Sequence, residues 1–414
     1  MRVSTPVDIP ADLRQHLHDV YRHLHAHPEL SMAEHRTAAF ISEKVTDLGF
    51  VVTPCTDTGL VAVMANGEGP VVAFRADIDA LPLPEETGLG YASRTRGILP
   101  DGTDVPVMHA CGHDTHITCA IGAATLLARH LTAWSGTVIF IFQPAEETAA
   151  GAQAMLDDDV WGKALPAGRT PDVVYSQHVW PGRSGTIDIT PGPAMAMADA
   201  WKVTVHGRGG HGSRPEATID PVVLAAHMIV RIQSIVSREI AAQSATVVTV
   251  ATMSAGLKEN IISGTAEFTL NVRNLDTGIR DQVLAALRRV IMAEAQASAA
   301  PEPTIEELYT FPLLVNDEAL TAEAVEVLGD VLGSDKVSQI PPSMGSEDFG
   351  HLPHAIGVPG VYWFFGGLPD DVIDGDDPVP SIHSSLFAPV IEPTLSTGVQ
   401  AAYAMLVHRL QPGD

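Results

Sequence analysis

Nine consecutive residues, Met108-His109-Ala110-Cys111-Gly112-His113-Asp114-Thr115-His116, bring together three imidazoles, a thiol and a carboxylate. Packing alone does not require so much ligand chemistry. Cys111 and His113 are two positions apart, so on extended backbone both side chains point to one side. On a helix only residues three or four apart are neighbours. Extended backbone through Gly112, then a helix from about Asp114, would therefore let the two share a cation. His109, His113 and His116 at helical spacing are the competing set, although Gly112 is a poor residue for a helix interior. The plainest alternative is a buried cysteine among hydrogen-bonded core histidines.

Ligand-bearing partners elsewhere decide between these readings, and the elements that must deliver them can be read from the pattern. Val71 to Phe74 reads as a strand ending in Arg75-Ala76-Asp77-Ile78-Asp79. The apolar run Gly136 to Phe142, typical of a strand buried on both faces, ends in Gln143-Pro144-Ala145-Glu146-Glu147. Val173 to Tyr175 is followed by Ser176-Gln177-His178, and Ser381-Ile382-His383-Ser384 precedes a terminal helix from Pro393 to Leu410. Strands alternating with helices imply a mostly parallel sheet with helices on both faces. In such sheets ligands bind beyond the carboxyl ends of the strands, where Asp77, Asp79, Glu146, Glu147 and His178 all fall.

Before these come two helices. The first carries Leu13, Leu17, Val20, Tyr21 and Leu24 as one stripe and ends at His27-Pro28; His23, His25 and His27 suit its last carbonyls. The second is predicted to be capped by Ser31 with Glu34 three residues on, and to run to Leu48. Residues 80 to 108 read as a long loop, and Asp114 to about Leu131 as a helix with Cys119 in its core. From about Gly185 the order changes to strand, helix, strand, strand, helix, strand, the ferredoxin-like split. The expected domains are 1–185 with 311–414, which would carry the cation site, and an inserted 186–310. Asp370 to Asp377 reads as a solvated acidic loop.

At 414 residues the chain exceeds the size at which one core stops growing, and its formal net charge of −26 argues against nucleic acid or an anionic membrane as partner. No apolar run reaches 18 residues. The segment Met1-Arg2-Val3-Ser4-Thr5-Pro6 lacks an apolar signal core, so a cytoplasmic location is expected. Three cysteines, Cys55, Cys111 and Cys119, do not make a disulfide framework.

The candidate ligands are Cys111, His113, Glu147, His178 and His383. One metal would leave a ligand spare, whereas two metals sharing one bridging ligand use all five and keep positions open for water and substrate. A thiolate with imidazoles favours Zn²⁺ or another borderline transition metal (Mn²⁺, Co²⁺ or Ni²⁺) over Mg²⁺. Such ions bring the pKa of bound water toward ~7, so a hydroxide held between them is a nucleophile at neutral pH. Glu146, pointing elsewhere than its neighbour Glu147, is free to act as general base; a solvated Glu pair at a helix start is the alternative.

The stretches Met108 to Asp114, Pro144-Ala145-Glu146-Glu147, His178-Val179-Trp180-Pro181 and Gly210-His211-Gly212-Ser213-Arg214-Pro215 resemble the M20 metallopeptidase family. The similar branch is the amidohydrolases typified by hippurate hydrolase, aminoacylase-like enzymes and auxin-conjugate hydrolases. Arg22 to Leu30, Phe74 to Leu81, Gly345 to Phe349 and His383 fit as well, so the resemblance runs along nearly the whole chain. It implies two divalent ions bridged by Cys111, one held by His113 and His178 and the other by Glu147 and His383, with Glu146 as general base. It further implies that the inserted domain is a lid that forms homodimers or higher homo-oligomers. His211 would then polarise the scissile carbonyl in a neighbouring subunit, and Asn260 and Arg273 would hold a substrate carboxylate. His211 as a turn residue and Arg273 as a sheet-edge solubiliser are the competing readings. Asp79 is expected to orient a ligand imidazole, with Asp77 as the alternative.

The implied substrate is a small N-acyl-amino acid or similar amide with a free carboxylate. A carboxypeptidase or dipeptidase of the same family, a thiol hydrolase using Cys111 with His113 or His109, and a non-catalytic binding protein are the rivals. Two departures stand out. Glu216 occupies a position where the family commonly has histidine, and residues 99–106 look inserted beside the metal motif, where they could reshape the acyl pocket.

Overall fold

The computed structural model describes residues 8–411; the segment Met1 to Pro6, read above for a signal core, lies outside them. The chain divides into two units: one built from residues up to Ala194, Val315–Pro341 and from Asp348 onward, the other from Met195–Leu314 and Pro342–Glu347. The larger unit contains an eight-stranded sheet. Its strands in chain order are β1 (Val51–Cys55), β2 (Gly59–Asn66), β3 (Val71–Asp77), β4 (Gly136–Gln143), β5 (Val173–Arg183), β6 (Ile187–Ile189), β7 (Val337–Gln339) and β8 (Gly360–Leu368). In space they run β1-β2-β4-β3-β5-β8-β6-β7.

The four central strands, β4, β3, β5 and β8, are mutually parallel, with antiparallel pairs toward the flanks. Every residue of β3, β4 and β8 is buried. That accounts for their continuous apolar sequences, since a strand covered on both faces has no solvent side to mark with polar residues. The helix His113–Arg129 is buried from His113 to Leu127 and shares one core with Leu17, Phe140, Trp363 and the terminal helix Thr394–Leu410. Its first turn, bearing the candidate ligands, is thus fixed from all sides.

Several local expectations change. The second helix starts at His35, not after Ser31. Ser31 donates to Asp79 Oδ2 at 2.6 Å, while the Glu34 carboxylate turns inward to accept from Thr58 Oγ1 at 2.7 Å and Ala145 N at 2.9 Å. With both side chains bonded to other segments, neither caps the helix. Residues 80–108 contain a short hairpin, Arg96–Ile98 with Asp104–Pro106, and residues 99–106 form its turn and second strand. Leu99 and Val105 pack on a small apolar cluster of Leu30, Ala80 and Val107. The acidic stretch is more ordered than expected: Asp370–Ile373 is a helical turn, and Asp370 and Asp374 both pair with Arg183.

The smaller unit begins at Met195 rather than at residue 186, because Ile187–Ile189 pairs within the larger sheet. It holds a four-stranded antiparallel sheet in the order Thr246–Ala255, Thr265–Asn274, Met197–His206, Thr304–Phe311. Helices Pro221–Arg238 and Thr277–Ala297 interleave these strands along the chain as βαββαβ. Asp220 and Asp276 cap the two helices by accepting from Val222 N and Ile279 N, each at 2.9 Å. Trp201, Met228, Ile232, Phe268, Leu270 and Ile291 form its core. Among the described residues no helix is long and apolar enough to cross a membrane.

Candidate metal centre

The metal motif folds as a turn entering a helix, not as the extended segment its spacing suggested. Gly112 has φ +80° and ψ 22°, in the left-handed region, and the helix begins one residue earlier than expected, at His113. A Cβ on Gly112 would stand 2.4 Å from Val179 Cγ1, so glycine answers both the backbone conformation and the close approach. This turn still directs Cys111 and His113 to one place. Ligand atoms of Cys111, His113 and Glu147 all lie within 4.8 Å of one another.

The other candidates close around them. Glu147 stands on a single turn, Glu146–Thr148, just after β4, between Ala145 and Ala149, both in left-handed backbone. Glu34 holds that turn through Ala145 N, and Asp79 Oδ2 holds it by accepting from Glu147 N at 3.1 Å. His178 lies within β5, opposite Phe364 of β8, because β5 runs eight residues beyond the predicted Tyr175. Its Nε2 is 3.4 Å from Cys111 Sγ. His383 Nε2 is 3.3 Å from Glu147 Oε2, and His113 Nε2 is 3.9 Å from Glu147 Oε1. All five expected ligands therefore meet. Glu146 is buried beside them.

Hydrogen bonds decide which nitrogen each imidazole offers. His113 Nδ1 faces the Asp79 carbonyl at 2.9 Å and Asp79 Oδ1 at 3.1 Å, so Nδ1 carries the proton and Nε2 presents its lone pair. His178 Nδ1 faces its neighbour's carbonyl, Val179 O, which likewise frees Nε2. His116 is different. Val179 N donates to its Nε2 at 2.8 Å and its Nδ1 binds Asp77, so neither nitrogen is free, although His116 sits close to Asp77, His113 and His178. This removes the competing set His109, His113 and His116. Among the described residues, His113 Nε2 and Glu147 Oε1 are buried without a hydrogen-bond partner. An unpartnered imidazole nitrogen and carboxylate oxygen facing one space, with a thiol and two more imidazoles, make a donor set that a cation would fit; both nitrogens of His109 are unpartnered too, but His109 is not in that set.

Burial, with Glu147, Glu146 and Asp77 nearby, pushes the Cys111 thiol well above its ordinary pKa. Burial works against a charged His113, yet Asp77, Asp79 and Glu147 raise it to about 10. Burial and His116 drive His178 well below its ordinary value, and burial takes His109 to about 4. A thiol so opposed to ionisation is a poor unaided nucleophile, which weighs against the thiol-hydrolase reading. A bound cation would oppose the preferences of Cys111 and His113, since metal binding needs thiolate and neutral imidazole, whereas His178 is already held neutral.

Behind the ligands lies a buried polar layer that the sequence reading missed. Arg75 bonds Asp77 Oδ2 at 2.7 Å, Gln143 Oε1 at 2.9 Å and Asp348 Oδ1 at 3.1 Å. His25, expected to serve the end of its helix, is instead fully buried between Asp114 Oδ2 at 2.6 Å and Glu85 Oε1 at 3.1 Å. Burial opposes its charge, but those carboxylates raise it to about 9. Burial and Asp79 lift Glu34 to about 7. For Arg75 and Asp77 the available signal was charge on an otherwise apolar strand in Phe74 to Leu81; His25 and Glu34 carried none.

His211, Asn260 and Arg273 belong to the smaller unit. His211 lies in a two-residue strand paired with Ile261–Ile262. Ser213 N donates to its Nδ1 at 3.1 Å, which leaves the proton on Nε2 of the neutral ring. The Asn260 carbonyl accepts from Gly212 N at 2.8 Å. Arg273 donates to Asn271 Oδ1 at 2.9 Å, Met344 O at 2.7 Å and Ser346 Oγ at 3.3 Å. It is therefore tied to its own unit rather than projecting as a free solubilising charge.

The cluster of thiol, imidazole and carboxylate has the donor set of a metal site, and comparison with known proteins gives the family of the chain. The sequence profile of peptidase family M20/M25/M40 matches residues 73–405, and the chain belongs to that family. It is 36% identical over 373 residues to N-acetyl-L-cysteine deacetylase of Bacillus subtilis, covering 88% of this chain and 83% of that protein. It is 33% identical to thermostable carboxypeptidase 2 of Saccharolobus solfataricus, covering 84% of each. A solved structure, a dinuclear metal-binding peptidase of the M20 family from Bacillus subtilis, aligns with TM-score 0.74 at 30% identity, over 97% of this chain and all of that one.

Proposed function

We propose that the protein hydrolyses the amide bond of a small N-acyl-amino acid, releasing a carboxylic acid and an amino acid. The observation that carries this reading is the meeting of five candidate ligands around orphaned His113 Nε2 and Glu147 Oε1, with the buried carboxylate of Glu146 beside them. Cys111 would bridge two divalent cations, His113 and His178 completing one and Glu147 and His383 the other. Bound there, the ions supply Lewis acidity toward the carbonyl and lower the pKa of water. The donor set favours Zn²⁺, with Mn²⁺, Co²⁺ and Ni²⁺ as alternatives.

Glu146 takes the proton from the attacking water and passes it to the leaving nitrogen. Asp79 keeps His113 in the tautomer that ligates, and Asp77, through His116, holds Val179 and hence the strand carrying His178. His211, whose Nε2 bears the proton, donates to the carbonyl oxygen as negative charge develops there. Asn260 and Arg273 hold the substrate carboxylate, Arg273 through its positive charge. In this reading the smaller unit is a lid that also joins subunits, and His211 acts in the neighbour's site. A strictly monomeric, fully active protein in light scattering would remove that last role.

Glu146→Gln should keep its cations, measured by elemental analysis, and lose about 10²–10⁴ in turnover. Near-normal turnover in that variant refutes the assignment. Chelation should abolish activity, whereas a thiol hydrolase would keep it. The carboxypeptidase reading gains weight from the archaeal relative; comparing N-acyl-amino acids with dipeptides as substrates separates the two.

A further inference from the structure

The segment between Ala80 and Val107 takes no part in the chemistry above, yet two adjacent carboxylates in it reach two different ligand-bearing segments. The Glu85 side chain is fully buried and accepts from His25 Nε2 at 3.1 Å, from Ser93 N at 2.5 Å and from Thr87 Oγ1. His25 in turn bonds Asp114, the residue after His113. Glu86 grips the other segment: its backbone N donates to Ser385 O at 2.8 Å, and its carboxylate accepts from Ser385 Oγ at 2.6 Å. Ser385 is two residues beyond His383.

His383 needs such support. Its backbone is left-handed at φ +64°, a conformation that disfavours a residue with a Cβ. Its side chain is 50% exposed, while that of His113 is fully buried. Its own backbone N is tied to Ala110 O at 2.8 Å, next to Cys111. The rest of its placement depends on what holds the 384–387 turn.

We propose that residues 85–93 form a clamp in which Glu85 and Glu86 are positioning residues for the cation that Glu147 and His383 would hold. Buried Glu85 fixes the clamp to the helix that begins with His113, and Glu86 holds the His383 loop against it. The inference rests on the ligand assignment of the preceding subsection. An isolated ion pair would stabilise the fold at one point. Two neighbouring carboxylates gripping the segments of two different ligands set the distance between those segments.

The test uses the full chain loaded with Zn²⁺, with each cation's affinity read by competition against a chelating indicator and backbone exchange followed over 382–387. His383→Ala should reduce two bound cations to one; if it leaves the stoichiometry unchanged, the ligand assignment fails, and that failure is seen without touching the clamp. With the assignment upheld, Glu85→Ala should weaken one cation about 10- to 100-fold while leaving the other within about twofold, and should speed exchange at 382–387. Glu85→Gln, which retains an acceptor for His25, should restore most of that loss. Ser385→Ala should act in the same direction by about three- to tenfold, and it carries the test if Glu85→Ala does not fold. Unchanged affinity for both cations, equal weakening of both, or wild-type exchange at 382–387 overturns the clamp.

Discussion

The two halves of the candidate metal centre are made of different material. The inner half, His113 and His178 with Asp77, His116 and Arg75 behind them, stands on a buried helix start and on two central strands of a parallel sheet. Each of its imidazoles has a tautomer fixed by a carbonyl, a carboxylate or a backbone N–H. The outer half, Glu147 and His383, stands on turns flanked by or containing left-handed non-glycine residues. The inner half belongs to the core, so its geometry is a consequence of folding. The outer half is held by contacts between loops, so its geometry can change while the core stays intact. Damage to the first should appear as lost stability, and damage to the second as lost cation binding in a stable protein.

The largest effect that would break this contrast is expected at Asp77. Asp77→Ala leaves buried Arg75 short of one carboxylate and His116 Nδ1 without its partner. Truncating one member of a buried ion pair costs about 3–5 kcal/mol, so urea unfolding of the cation-free protein should show a loss of that order. A loss below about 1 kcal/mol would mean the inner half is no more built into the core than a surface pair.

Next in size is a pH effect on the link between the core and the clamp. The unfolded pKa of His25 is near 6.5, and in the fold it rises to about 9 despite burial, because of Asp114 and Glu85. A raised folded pKa means that the stabilisation is fully present below about 6.5 and disappears as pH rises through about 9, roughly 3 kcal/mol in all. Asp114 and Glu85 work in the opposite sense. Burial opposes their charge, yet His109 and His25 at Asp114, and His25 at Glu85, hold both below the usual carboxylate range. Their share is present above that range and is lost as pH falls through their folded values. His25→Gln should remove the decline between pH 7 and 9 in chemical denaturation; an unchanged profile would show that this network is not what ties the segment down.

The same contrast describes how far the sequence could be read. The buried parallel strands and the helix after Gly112 were legible, because continuous apolar runs and periodic stripes record burial directly. The five candidate ligands were legible because a thiol and imidazoles crowd into residues 108–116, because Glu147 and His178 follow apolar runs, and because His383 fits the family resemblance. What escaped was polarity turned inward. Glu34 occupies the third position of an apparent capping box, yet its carboxylate supports Ala145 N from another segment. His25 sits at a helix end where imidazoles are unremarkable, and only the partner from residue 85 reveals it as buried. Nothing local distinguishes such residues from surface ones, because their partners are 24 to 111 positions away. The conformation of Gly112 escaped for a related reason: the spacing of Cys111 and His113 fits a turn as well as a strand, and the crowding by Val179 that demands glycine comes from β5.

The smallest expected effect on stability is also the sharpest test of the outer half. His383 is a half-exposed residue in left-handed backbone, facing Glu147 Oε2 at 3.3 Å. Glycine adopts that backbone without the Cβ penalty of about 1–2 kcal/mol, but it adds freedom to the unfolded chain. The two contributions oppose each other, so His383→Gly should leave the cation-free protein within about 1 kcal/mol of the parent. The same variant should bind one cation fewer per chain. A large destabilisation would place His383 in the core with His113 and erase the division between the halves. Unchanged stability with one cation lost would mean that the strained turn is kept for the ion it presents and adds nothing to the fold.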